Sequence, residues 1–115
     1  MALGRGDIIE VYFQLPYSKE TKTHPAIIIS NNDVHDEEMY ICVMMTSSKT
    51  KDLFTFEISN EMLNKPSTKD FSQARCHIVT YVLEKHILTN ANKSTLKPNA
   101  VDRLVTHINQ ISLSQ

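Results

Sequence analysis

Arg75 and His77 stand two residues apart in a run, Gln73 to Leu83, that reads as a strand, so their side chains share one of its faces. Histidine takes or gives a proton near neutral pH, and arginine grips phosphate through a planar fork while keeping its own proton. Such a pair is equipped for acid–base work on a phosphate, and equally for a plain surface pair on a half-exposed strand. Thr46 precedes Ser47 and Ser48 at the end of an apolar run, the place of a turn-initiating hydroxyl. His24 stands directly before Pro25, where its ring has a backbone group within reach. His35, His86 and His107 have no comparable neighbours and read as ordinary surface or helix residues.

Other chemistries find little support. Cys42 and Cys76 fall in strand candidates as small reduced core residues, and no Cys-x-x-Cys or paired-His spacing announces a metal site, so no metal and no other cofactor is expected. The two glycines, Gly4 and Gly6, both precede the first strand, which leaves no glycine-rich loop to cradle a nucleotide.

The elements that must carry these residues are mainly strands. Asp7 to Gln14 is β-branched and aromatic. Leu15 to His24 reads as a flexible polar loop. Pro25 opens Ala26 to Ser30, a continuous apolar run that suggests a strand buried on both faces. Asn31 to Glu38 is a polar turn, Met39 to Thr46 a third strand, and Ser47 to Asp52 a second polar loop. Leu53 to Ser59 alternates, with Phe54, Phe56 and Ile58 on one side and Leu53, Thr55 and Glu57 on the other. A short helical turn over Asn60 to Asn64, stopped by Pro66, leads through a loop, Lys65 to Asp70, to Gln73–Leu83. There Ala74, Cys76, Ile78, Val79, Tyr81 and Leu83 are available to the core. Pro98 suits the first position of a helix, in which Val101, Leu104, Val105, Ile108 and Ile111 share one face. Asp102, Arg103, His107 and Asn109 point elsewhere. The pattern predicts a mainly β fold, a small barrel or strongly twisted sheet of about five strands, closed by a C-terminal helix.

A chain of 115 residues predicts one domain, residues 1–115. Its net charge of −1 argues against a surface that wraps duplex DNA, so any nucleic acid would be a short single strand met by local positive charge. No apolar stretch is long enough to span a bilayer and the start has no signal-peptide core, which predicts a cytoplasmic protein without a membrane partner.

Arg5-Gly6-Asp7-Ile8-Ile9-Glu10-Val11, His24-Pro25 with the apolar run after it, Val43-Met44-Met45-Thr46-Ser47, and Arg75-Cys76-His77 occur in an order and spacing that resemble the MazF/PemK family of toxin endoribonucleases. The resemblance runs across nearly the whole chain. It implies an SH3-like barrel, a homodimer whose shared groove takes single-stranded RNA, and a cognate antitoxin protein. Where the family usually has Arg before the proline, this chain has His24, and where one branch has Arg-Cys-Asp it has Arg75-Cys76-His77.

Carried onto the matching positions, the resemblance implies a catalytic set of His24, Thr46, Arg75 and His77. The two histidines would share the base and acid roles, Arg75 would stabilise the phosphorane-like transition state, and Thr46 would donate to a phosphate oxygen. Lys19 and Lys22 in the first loop, and Ser47, Lys49 and Lys51 in the second, border the family's groove and are the implied RNA contacts. Tyr17 is placed to stack on a base. Two other readings remain at this point. One is a barrel that binds RNA or protein without cleaving. The other is a gyrase-poisoning toxin of the same fold, disfavoured because that branch needs a Trp-Gly-Ile end and this chain has no Trp.

Overall fold

The computed structural model describes residues 3–14, 16, 19–64, 73–88 and 94–114. One sheet dominates it. The strands are β1 (Asp7–Phe13), β2 (Lys22–Ile28), β3 (Met39–Thr46), β4 (Thr55–Glu57), β5 (Gln73–Leu83) and β6 (Ser94–Thr95). They lie in the order β4-β5-β3-β2-β1-β6, every pair antiparallel, and the sheet curls into a half-barrel. A short helix α1 (Asn32–His35) links β2 to β3, and α2 (Pro98–Ile108) follows β6.

The apolar runs of β2 and β3 arise because the sheet is covered on both faces. Ile8, Ile27, Val43, Met45, Ala74 and Cys76 pack on one face against Val101, Leu104 and Ile108 of α2. Ile9, Val11, Ala26, Ile28, Cys42, Met44, Ile78 and Val82 form a second cluster on the other. Alternate residues of one strand thus feed two cores, which removes the polar–apolar alternation of a half-exposed strand.

Several sequence expectations need correction. β2 starts at Lys22, so Lys22, Thr23 and His24 belong to a strand and not to a loop, each paired with β1. Pro25 is tolerated inside it because the ladder to β3 begins only at Ala26, and at Pro25 the strand is paired with β1 alone. The alternating segment Leu53–Ser59 keeps its sidedness, with Phe54, Phe56 and Ile58 inward, yet only Thr55–Glu57 is strand. Asn31–Glu38 contains α1, whose first turn is capped by the Asn31 side chain accepting from Val34 N–H. The sixth strand, two residues long, was too short to leave a periodic signal. On β5, Val79 and Tyr81 are exposed, while Val82 takes the core position.

The exchange on β5 has a clear cause. β3 and β5 pair as Val43↔Val79 on one side of an irregularity and Met45↔Ala74 on the other. β5 therefore spends three more residues than β3 over that interval, and an odd excess reverses which side chains face which core. Ala74 and Cys76 serve the helix-side core, whereas Ile78 and Val82 serve the opposite one.

The Arg5-Gly6-Asp7 opening is a joint between sheet and helix. Gly6 adopts φ +99, its N–H donates to Ile28 O at 2.7 Å, and its carbonyl accepts from Leu96 N–H at 2.9 Å. Arg5 pairs with Asp102 of α2 at 3.0 Å, and Asp7 accepts from the Thr95 hydroxyl at 2.6 Å.

Candidate active site

The register change that reverses β5 also presents Gln73, Arg75 and His77 on the face away from α2, with Thr46 paired to Gln73. Together with the segment 48–54 they enclose a cavity of about 440 Å³, lined by Thr46, Ser48, Thr50, Asp52, Phe54, Gln73, Arg75 and His77. Three of the four expected catalytic residues thus meet at one place.

Arg75 is not the surface residue its neighbours suggest. It is 8% exposed, and a guanidinium at that depth requires partners. Its Nη1 donates to Asp52 Oδ1 at 3.0 Å, Thr55 Oγ1 at 3.2 Å and Gln73 Oε1 at 2.7 Å, and its Nη2 donates to Asp52 Oδ2 at 2.7 Å. The Arg75 hydrogen bond is the main reason the Asp52 carboxyl is pulled down to about 2, helped by the Phe54 N–H that donates to it.

His77 is exposed, its ring stacked on Phe54 at 4.2 Å between centroids. Partial burial, then the positive charge of Arg75, lowers its pKa below the ordinary histidine value, and the Asp52 carboxylate pulls the other way. The imidazole is consequently neutral near pH 7 and able to accept a proton. Thr46 Oγ1 accepts from Ser48 N–H at 3.2 Å and so shapes the turn at the cavity mouth. Gln73 Nε2 donates to the carbonyls of Ser48 at 2.9 Å and Thr50 at 2.6 Å, tying that segment to β5.

His24 lies outside this lining. On β2 it pairs with Val11 of β1, half-buried, and burial and the nearby Lys22 charge lower its pKa. The β2–β3 ladder is paired only as far as Ala26↔Met44. Two more steps at the same register would bring His24 level with Thr46. Lys49 and Ser47 are exposed beside the cavity mouth, and Lys51 is paired with Glu57 at 2.6 Å. Lys22 is paired with Glu20 at 3.3 Å, Lys19 is exposed, and Tyr17 lies outside the described residues. Asp52 and Gln73 were missed from sequence. Asp52 sits 23 residues from the arginine it holds, and nothing local marks it as a partner.

His35 and His107 are helix residues, as expected, and half-buried: His35 Nε2 bonds the Ser30 hydroxyl at 2.9 Å, and the His107 ring packs on Phe56. Both cysteines are buried free thiols. Among the described residues no cluster of three His, Cys, Asp or Glu side chains suits a metal ion, and no helix is long and apolar enough to cross a membrane.

Residues 4–112 match the model of the PemK-like, MazF-like toxins of type II toxin–antitoxin systems. No curated protein sequence is significantly similar. Among solved structures, an endoribonuclease from a mycobacterial species in complex with its cognate antitoxin superposes with a TM-score of 0.70 at 14% identity, over 96% of this chain and 94% of that one. MazF from Deinococcus radiodurans gives a TM-score of 0.71 at 9% identity, over 96% of each chain. The MazE–MazF complex of the same organism gives 0.71 at 8% identity, over 96% of this chain and 95% of that one.

Proposed function

The chain belongs to the family of PemK-like, MazF-like toxins of type II toxin–antitoxin systems, and on that premise we propose that it is an endoribonuclease that cuts single-stranded RNA at short sequences without a metal ion. The observation that supports this most directly is the meeting of Thr46, Arg75 and His77 in one cavity. RNA carries its own nucleophile in the 2′-hydroxyl, so cleavage needs a base, an acid and a source of positive charge. His77, held neutral beside Arg75, is the base for the 2′-hydroxyl proton. His24, which continues the β2–β3 register toward Thr46, gives the leaving 5′-oxygen its proton from the small protonated fraction that its lowered pKa leaves at neutral pH. Arg75 supplies charge at the cavity wall, and the Thr46 hydroxyl donates to a phosphate oxygen. Ser47, Lys49, Lys51, Lys19 and Lys22 guide the strand, and Tyr17 stacks on a base.

The protein acts in the cytoplasm and is silenced by a cognate antitoxin that enters the RNA groove, a reading supported by antitoxin complexes among its structural neighbours. It works as a homodimer. Exposed Tyr12 and Tyr81 border an apolar cleft of about 680 Å³ that a second copy would cover.

The test is incubation of purified protein with single-stranded RNA in excess chelator, followed by mapping of new ends. Products ending in 2′,3′-cyclic phosphate, lost in His77→Ala, are expected. RNA left intact at high protein concentration but bound would replace the enzyme with a binding module.

A further inference from the structure

We infer that Asp52 is a positioning residue of the cavity, which acts through Arg75 and Phe54 to fix the two groups that flank His77. The inference rests on the reading of this cavity as the RNA-cleaving site. A carboxylate at a place meant for phosphate is a cost, because like charges repel, so its presence calls for a compensating role. Asp52 is bound to the site from several directions. Its two carboxylate oxygens take the two ends of the Arg75 fork at 3.0 and 2.7 Å, which sets the plane of the guanidinium as well as its position. Oδ1 also accepts from Phe54 N–H at 2.9 Å, and the Phe54 ring is the one on which His77 stacks. The Asp52 N–H donates to Thr55 Oγ1 at 3.0 Å, the same hydroxyl that Arg75 reaches.

One side chain therefore triangulates the arginine behind His77 and the ring beside it. His77 needs this help because its own backbone position falls where the β3–β5 register skips, so pairing with β3 does not hold it in place. The charged groups that act on the imidazole are Arg75 and Asp52, with opposite sign.

Asp52→Asn tests the idea, since the amide keeps the size and the Phe54 bond but turns an NH₂ or a single neutral oxygen toward the guanidinium. Misplacement of this order lowers kcat roughly 10–100-fold, with KM unchanged or lower because a negative charge has left the RNA path. The His77 ring, followed by histidine NMR in the free protein, should titrate at lower pH than in wild type with its Phe54 ring-current shift kept, whereas Asp52→Ala, which removes the Phe54 bond as well, should lose that shift. Asp52→Glu, which keeps the charge, should move the titration midpoint back. If Asp52→Asn raises cleavage, the carboxylate is a plug that RNA displaces, and the inference fails. Unchanged kcat and an unchanged His77 titration overturn it as well. Should wild-type protein leave RNA uncut, the proposed function falls, while the NMR shifts still decide whether Asp52 positions His77. Thr55→Val, which removes only the hydroxyl shared by Asp52 and Arg75, gives the same readouts in milder form if the Asn variant does not fold.

Discussion

His77 shows how far residue-level reading reaches. Its type and its spacing from Arg75 put both on one strand face, and the family resemblance nominated them. What sequence could not supply is the depth of Arg75, its Asp52 partner, or the Phe54 platform, because all three depend on contacts made across more than twenty residues. The consequence for activity is specific. With His77 needed neutral and His24 needed protonated, and both lying below the ordinary histidine value, kcat/KM should trace a bell whose two midpoints fall on the acid side of that value. The Arg75 charge is one cause of the lowering at His77, so Arg75→Met should move the acid limb to higher pH as well as slow the reaction. Exposed His77 contributes little to packing. His77→Ala should cost cleavage about 10²–10⁴-fold with an unchanged unfolding midpoint, as measured by gel assay and thermal melt.

At the scale of elements, the five longer strands were readable and β6 was not, while strand bounds were right for some and wrong for others. β3 and β5 were placed at their true bounds by their apolar and alternating runs. β2 was begun too late because Pro25 looks like a strand opener, whereas an inner Pro is tolerated wherever one neighbour is missing. The joint at Gly6 makes the strongest structural prediction. A Cβ there would meet Leu96 O at 2.9 Å and Val101 Cγ2 at 3.2 Å, on a backbone of φ +99. Gly6→Ala should destabilise by roughly 1–3 kcal/mol in urea unfolding, since neither the Leu96 carbonyl nor α2 can retreat cheaply. Leu104→Ala, which empties the helix–sheet core, should cost about 2–5 kcal/mol without moving the pH profile, because Leu104 lies on the face opposite the cavity.

For the molecule as a whole, composition predicted a balanced surface, and the structure shows balance even beside the cavity: Lys51 is paired with Glu57 and Arg75 with Asp52. RNA affinity should therefore fall only gently with salt. Even four lysine–phosphate contacts give a log–log slope of about −3, and a markedly steeper slope in a filter-binding titration would mean that a wider surface is engaged. The exposed tyrosines predict in addition that Tyr81→Glu yields a single-chain species in sedimentation. The skipped register between β3 and β5 has a consequence in time as well as in space. Amides of Val79 to Val82 sit inside an unbroken β3–β5 ladder and the Cys76 N–H is held by Phe54 O at 3.0 Å, whereas His77 and Ile78 fall outside the β3 register, so their deuterium exchange should be the faster. A short stretch of β5 that opens without the sheet unfolding would let the wall of the proposed site move to admit its substrate.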